Sequence, residues 1–456
     1  MPADYKISRF TMVEPLNGQN LIVLFNTLNK GVGSLPAQIW KEVNSGSFRN
    51  ESTLAHLLDQ GFIVSADIDE DIAFAHWRRQ RAYDLTHLHY IINTTYGCDI
   101  KCSHCYFGQI KKIRYMTRET ARLVLDFITK DLEQKRPVSV HLDFGGPDTT
   151  LNPEIILYLA EGLHRFCRGR RILFRISLSS NGLDLKRSLI ENLKPFGLNK
   201  VRIKIGGPGL IHDQLRPDKD GRPTLEKILH NLTKIAGLIE IHLISHNDPN
   251  LEDHLLSLTL LNDLLLHGLI EYITSVRFHP IFPAENKTNL KSRQVGWMDC
   301  LFDMNPQRHL WLNDQIAAWG FLAAKEPPEC RRMTGRRDTM VINVEGQITA
   351  CPFQVDLPEF NYGHVKTGID FYRESNWLAK DLPEKCRSCV IAPMCNGGCH
   401  YLGFLETGRV NEVYCVYESL EQLIRSHIRH TAQNHNFKRL PQIPQYYDSS
   451  IVMENR

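Results

Sequence analysis

The stretch Thr95-Tyr96-Gly97-Cys98-Asp99-Ile100-Lys101-Cys102-Ser103-His104-Cys105-Tyr106 constrains this chain more than any other. Its cysteines are separated by three and then two residues. Three thiolates on one short loop can hold three corners of a cubane iron–sulfur cluster, which ordinarily takes four cysteines. Without a fourth, one iron keeps an open position, and an open position on a metal serves chemistry rather than structure. A zinc or redox cysteine cluster is the alternative. Zinc sites favour paired C-x2-C units or cysteine–histidine mixtures, which this triplet fits poorly. The run Tyr90-Ile91-Ile92-Asn93-Thr94 reads as a strand feeding the loop.

The chain has 456 residues, room for roughly two to four domains. Its 42% hydrophobic content is that of a soluble globular protein with a sizeable core. A net charge of +3 argues against a dedicated nucleic-acid surface. The start, Met1-Pro2-Ala3-Asp4-Tyr5-Lys6, lacks a basic-then-apolar export signal. The most apolar stretch, Leu255 to Ile273, contains Asn262, Asp263, His267 and Glu271 and reads as a buried helix, not a membrane span. The expected location is therefore the cytoplasm. In that reducing compartment the twelve cysteines read as metal ligands or redox groups rather than disulfides. Cys167 and Cys300 match no motif and read as buried small hydrophobes.

Residues 1–85 read as a small separate α+β domain. Tyr5 to Leu16 and Leu21 to Thr27 are strand-like, Pro36 to Val43 and Ser52 to Gln60 are short helices, and Phe62-Ile63-Val64 is a strand. A charged helical linker follows. Strands are then expected at His89–Thr95, Val138–Phe144, Ile172–Ser179, Val201–Ile205, Ile239–Ser245 and Ile273–Pro280. Helices are expected between them, at Arg118–Gln134, Pro153–Cys167, Leu185–Lys194, Thr224–Ala236 and Asn250–His267. This alternation implies parallel βαβ units. In parallel barrels the chemistry sits at the carboxyl ends of the strands, where the triplet loop falls.

A cysteine triplet of this spacing after an early strand resembles the radical S-adenosylmethionine (radical SAM) enzymes. The resemblance implies a partial (β/α)6 TIM-like barrel over residues 86–300 and S-adenosylmethionine bound to the open iron. Other motifs match in part. Gly145-Gly146-Pro147-Asp148 stands where relatives read Gly-Gly-Glu-Pro, so Asp148 is the candidate for the missing glutamate. Ser180-Asn181-Gly182 matches the Thr-Asn-Gly turn. Lys204-Ile205-Gly206-Gly207-Pro208 stands where relatives read Ser-Leu-Asp-Gly-Pro, and Ile211-His212-Asp213-x-x-Arg216 matches Ile-His-Asp-x-x-Arg. Lys204 thus replaces a cofactor-contacting serine and Gly206 an aspartate. Arg216 is the candidate partner of the cofactor carboxylate. His104 and Phe282 are candidates to pack on the adenine; for both, local packing is the alternative.

The C-terminal part carries a second constellation: Cys330, Cys351, Cys386, Cys389, Cys395, Cys399 and Cys415. The order resembles the SPASM domain of radical SAM enzymes, here residues 330–430, after a connector at 301–329 and before a tail at 431–456. The resemblance implies two auxiliary 4Fe–4S clusters besides the SAM-binding one. Cys386, Cys389, Cys395 and Cys415 would hold the outer cluster; Cys330, Cys351 and Cys399 would hold the inner one. Zinc on Cys386, Cys389, Cys395 and Cys399 is the alternative. Cys351 is followed by Pro352, not by the aspartate that acts as base in anaerobic sulfatase-maturating enzymes, which argues against that activity. His427 to Arg456 reads as a loose polar extension.

The implied function is radical modification of a peptide or protein, as in maturation of ribosomally made peptides by crosslinking, epimerisation or oxidation. Flavodoxin or ferredoxin is the implied electron donor. The N-terminal domain resembles the winged-helix-like peptide-recognition domains of such maturases, with a plain structural cap as the alternative. Two other functions stay open: a SPASM dehydrogenase of a small molecule, and an inactive iron–sulfur or zinc module.

Overall fold

The computed structural model describes residues 4–16, 20–102, 105, 113–247, 254–280, 336–378 and 382–434. His104, Phe282, Cys300, Cys330, the connector and residues 435–456 lie outside the described residues.

The N-terminal segment forms two small sheets. β1 (Tyr5–Ile7) pairs with β5 (Ile63–Ser65), and β2 (Thr11–Pro15), β3 (Leu21–Asn26) and β4 (Val32–Pro36) form an antiparallel meander. The strand expected from Tyr5 to Leu16 is broken by a turn at Ser8–Phe10, closed by Thr11 N donating to Ser8 O at 3.0 Å. β4 is a strand that the Val32-Gly33-Ser34-Leu35-Pro36 sequence hardly marks, because it holds one glycine and little apolar alternation. Helices Ala37–Asn44 and Glu51–Asp59 lie against one face of the meander, and Asn50 caps the second by accepting from Thr53 N at 2.9 Å. That face buries Ile22, Leu24 and Leu35 with Val43, Leu57 and Phe62.

Six parallel strands follow: β6 (His87–Asn93), β7 (Ser139–Gly145), β8 (Leu173–Ser180), β9 (Leu198–Ile205), β10 (Glu240–Asn247) and β11 (Ile273–Pro280). They lie side by side in chain order, joined by helices Arg118–Lys135, Pro153–Arg170, Arg187–Leu193, Leu225–Thr233 and His254–Leu266. β12 (Thr339–Ile342) joins the open side of β6 in parallel, and β13 (Gln347–Thr349), β14 (Gly363–His364) and β15 (Gly368–Ile369) continue the sheet antiparallel.

The parallel strands are two-sided. Val140, Leu142 and Phe144 of β7, with Leu88, Tyr90 and Ile92 of β6, pack against Val124, Ile128 and Leu163 of the helices. Cys167 is buried in the same core, as expected of a small hydrophobe. The alternate residues, His89, His141, Asp143, Ser177, Arg202 and Lys204, fall on the opposite face.

The second face of the N-terminal meander is covered from the far end of the chain. Met12, Leu16, Val23 and Phe25 pack on Ile391, Met394, Tyr401, Leu402, Leu420, Ile424 and Ile428. Arg425 donates to Val13 O at 3.0 Å and to Glu14 at 2.9 Å. The extension expected from His427 is helical as far as Asn434, because Leu420, Ile424 and Ile428 give helix Tyr417–Asn434 a buried stripe at four-residue spacing.

Candidate functional site

The triplet loop leaves the carboxyl end of β6. Its base is closed by an antiparallel bridge between Thr95 and Tyr115 and by Tyr96 N donating to Arg114 O at 2.8 Å. Its middle is tied elsewhere: Ile100 bridges to Asp218, and Lys101 N donates to Pro217 O at 2.8 Å. Cys98, Cys102 and Cys105 are each half-buried. Burial pushes the Cys98 and Cys102 thiols up, and Arg216 and Lys204 act against this at Cys102.

The motif residues gather around this loop. Gly146, at the end of β7, has φ +112°. A side chain there would be strained and would meet Thr95 O at 3.2 Å, so glycine lets β7 end against the base of the loop. Asp148 is fully buried; one carboxylate oxygen accepts from Ser180 Oγ at 3.0 Å and Thr150 Oγ1 at 2.8 Å. Its other oxygen, Oδ2, has no hydrogen-bond partner. Burial pushes this carboxyl up to about 6. Asn181 Nδ2 donates to Asp99 at 2.5 Å and lies 3.5 Å from Cys98 Sγ. Arg216 is 3% exposed and its Nε is buried without a partner. Lys204, near the end of β9, has its ammonium pKa lowered by burial and by Arg216.

Below this mouth, on the face away from the helices, lies a network that sequence reasoning did not single out. Asp143 accepts from Ser177 Oγ at 3.1 Å and from Arg202, whose Nε reaches Ser179 Oγ at 3.1 Å. His141 Nε2 meets Ser177 Oγ at 3.0 Å, and its ring stacks on His89 at 4.7 Å. Burial would raise the Asp143 carboxyl, but Arg202 and His89 hold it well below the usual range. The signal was available in Val140-His141-Leu142-Asp143-Phe144, whose polar residues alternate with core residues.

The C-terminal cysteines separate into two places. Cys386, Cys389, Cys395 and Cys415 line one recess, with Lys385, Ile391, Ala392, Gly397, Gly398, Val413 and Tyr417 completing its wall. Burial raises the Cys395 thiol to about 12. Cys351 and Cys399 do not line it. Cys351 is buried just past β13, and Cys399 caps helix His400–Thr407, its Sγ accepting from Leu402 N at 3.4 Å. Both act electrostatically on Tyr401, which stacks on Phe353 at 5.8 Å. Cys386, Cys389, Cys395 and Cys415, the set that the resemblance implies for an outer cluster, thus lie around one recess, and Cys399 is not part of its lining. Among the described residues, no three or more His, Cys, Asp or Glu side chains are set to hold a metal ion.

Residues 92–258 match the model of the radical SAM superfamily. The chain carries a radical SAM domain. That domain is one of an enzyme superfamily, and the chain's likenesses agree. A serine-type anaerobic sulfatase-maturating enzyme of Bacteroides thetaiotaomicron is 22% identical over 66% of this chain and 80% of its own length. An Fe-coproporphyrin III synthase of Methanosarcina barkeri is 28% identical over 30% of this chain and 32% of its own. The solved structure of native anSMEcpe with bound AdoMet and Cp18Cys peptide shares the fold, with a TM-score of 0.53, 17% identity, and coverage of 76% of this chain and 99% of that one. The matched stretch runs from the last residues of β6 to the start of helix His254–Leu266 and so contains the triplet and the residues around it.

Proposed function

We propose that this radical SAM enzyme modifies a peptide or protein, with S-adenosylmethionine and three 4Fe–4S clusters as cofactors. The observation that carries the first part is the pair of orphaned buried atoms beside the triplet, Asp148 Oδ2 and Arg216 Nε. A buried carboxylate oxygen and a buried guanidinium nitrogen without partners are costly. They suit the ammonium and carboxylate of one amino-acid moiety, which is what S-adenosylmethionine offers. The donor chemistry agrees: three cysteines on the loop at the mouth, four lining the recess, and Cys351 and Cys399 acting on Tyr401. Bound there, the cluster and S-adenosylmethionine would supply one-electron chemistry that ends in removal of a hydrogen atom from the substrate.

The chain's own residues do the rest. Cys98, Cys102 and Cys105 hold the cluster, and Asn181 fixes Cys98. Asp148 and Arg216 orient the cofactor's amino-acid end. Gly145 and Gly146 let the backbone approach it, and Ser180 holds Asp148. The curated relative is named for maturing a sulfatase, and the solved relative holds a peptide, which supports a peptide substrate. The N-terminal domain packs on the segment that carries the recess cysteines, and its role in this reading is to present that peptide. The electron donor is a flavodoxin or ferredoxin in the cytoplasm; no helix among the described residues is long and apolar enough to cross a membrane.

The test is anaerobic reconstitution, a count of iron and sulfide, and assay of 5′-deoxyadenosine after addition of dithionite and S-adenosylmethionine. About twelve irons per chain with release of the nucleoside is the expected result. Zinc in place of iron, or a fully loaded protein that releases none, would leave a metal-stabilised binding module instead.

A further inference from the structure

We propose that His212 and Thr224 are positioning residues for S-adenosylmethionine: a chain of hydrogen bonds running through them fixes Arg216 where it meets the cofactor's carboxylate. The inference rests on the role given to Arg216 in the proposed function and extends it to two buried residues behind that side chain.

Arg216 follows helix Gly209–Leu215, and its side chain lies against the end of β9. A Cβ built on Gly206 would lie 2.9 Å from Arg216 Cδ and 3.2 Å from Arg216 Cγ. The backbone just beyond it is bonded to the triplet loop: Lys101 N donates to Pro217 O at 2.8 Å, and Ile100 bridges to Asp218. Arg216 Nε is buried without a partner. An arginine side chain has many rotamers, so how well it meets a ligand depends on how firmly the backbone beneath it is held.

Behind Arg216 the bonds run in one direction. Gly206 N donates to His212 Nδ1 at 3.0 Å. Nδ1 is therefore an acceptor, and the proton of the neutral imidazole is on Nε2. His212 Nε2 donates to Thr224 Oγ1 at 3.0 Å, and Thr224 Oγ1 gives its own proton to Arg216 O at 2.7 Å. Burial, and then Arg216, lower the His212 pKa to about 3, so the ring stays neutral near pH 7 and the direction of the chain holds. His212 and Thr224 are both buried, and bonds aligned in this way polarise one another where little water competes.

Thr224 is placed as a helix cap and is not used as one. It stands at the start of helix Leu225–Thr233, where a threonine hydroxyl ordinarily accepts from one of the first N–H groups. Here it makes no such bond. Asp213 Oδ1 serves that end of the helix instead, accepting from Thr224 N at 2.8 Å and from Leu225 N at 2.9 Å. The hydroxyl is thereby released to hold the Arg216 carbonyl, which the end of helix Gly209–Leu215 leaves without an intrahelical partner. The bond made in place of the cap ties the helix start to Arg216.

The experiment measures S-adenosylmethionine binding to the full-length reconstituted protein by anaerobic equilibrium dialysis without reductant, beside iron content and a thermal melt. Arg216→Met should raise Kd on the order of a hundredfold. Thr224→Val keeps the shape and removes the hydroxyl; it should raise Kd about tenfold with iron content unchanged. Thr224→Ser restores the hydroxyl and should restore the parent Kd. Thr224→Val added to Arg216→Met should leave Kd where Arg216→Met alone puts it, because Thr224 acts through Arg216, while the melting temperature still falls. If Thr224→Val does not load iron, His212→Asn takes its place: it keeps an acceptor for Gly206 N and loses the bond to Thr224. A loaded variant with the parent Kd, or one that weakens binding equally with and without Arg216, would overturn the inference and leave the proposed function standing. An unchanged Kd in Arg216→Met would overturn the inference together with the role given to Arg216. A loaded parent protein that binds no S-adenosylmethionine would overturn the proposed function as well.

Discussion

The triplet and the four-cysteine recess use the same side chain in opposite surroundings. Around Cys98, Cys102 and Cys105 stand Asn181, Asp148, Lys204 and Arg216, two of them with buried atoms that lack partners. Around Cys386, Cys389, Cys395 and Cys415 stand mainly apolar residues, Ile391, Ala392 and Val413, with Lys385 and Tyr417 beside them, and the N-terminal meander packs on the segment that carries them. Unpartnered charge is expensive in a folded protein and is kept where a ligand supplies the partner. An apolar wall packed by a neighbouring sheet is an element of stability. The triplet is thus arranged as a place for a reacting molecule, and the recess as a joint between the two ends of the chain.

The sharpest way to break this comparison is to remove one cysteine from each site. Cys102→Ala should lower 5′-deoxyadenosine release by about a thousandfold or more, since the open-iron cluster is lost. Iron should fall by about a third, from roughly twelve to roughly eight per chain. The melting temperature should hardly move. Cys395→Ala should do the reverse: a loss on the order of 3 kcal/mol in unfolding free energy, because metal binding contributes to folding, with cleavage of S-adenosylmethionine retained. Thermal melts and nucleoside assays on both variants decide it. Equal loss of cleavage in the two would erase the distinction.

A third change sharpens the polar side of the comparison. Asp143 is buried and anchors Arg202, Ser177 and, at 3.7 Å, His89. Asp143→Asn removes the anion from beneath a guanidinium and should cost roughly 2 kcal/mol. The sign with pH follows from the lowered carboxyl. A depressed folded-state value gives stability that is present above the unfolded value and is lost as pH falls through the folded one. The gap between parent and variant, measured by denaturant on metal-free protein, should be full at pH 7 and shrink below about pH 4. A gap that did not change with pH would mean the carboxylate's charge is not what holds the network.

Much of the sheet was readable because parallel strands advertise one apolar face. The expected strands His89–Thr95 and Ile273–Pro280 correspond to β6 and β11 within two residues at either end. The glycine pair at 145–146 and the Arg216 motif were readable because close approach and bidentate pairing each demand a particular residue type. What stayed hidden depends on long-range pairing. Nothing local in Thr339–Ile342 says that it adds to the edge of β6, some 250 residues earlier in the chain. Nor does Val13-Glu14 announce that Arg425 will reach it. The Asp143 network was missed for a different reason: its members come from four strands, and only the register of the sheet brings them level.

The smallest expected effect tests how the triplet loop is tied to the hairpin that precedes Cys351. At the base of the triplet loop, Tyr96 is buried and its hydroxyl donates to Asp356 at 2.9 Å. Asp356 lies five residues beyond Cys351 and also accepts from Asn343 at 2.9 Å and from Arg114. Arg114 in turn stacks over the Tyr96 ring at 4.9 Å and reaches Glu345 at 2.6 Å. Loop base and C-terminal hairpin are therefore joined by one ionic and hydrogen-bonded knot. Tyr96→Phe leaves the ring and the cation above it but leaves Asp356 one donor short. Because Asn343 and Arg114 still satisfy that carboxylate, the cost should be about 1 kcal/mol, not the larger penalty of an abandoned charge. Asp356→Ala strips the knot of its centre and should cost more than Tyr96→Phe, with the two changes together costing less than their separate losses added. A double-mutant cycle by chemical denaturation measures that coupling. Strict additivity would show that the loop and the hairpin hold their places independently.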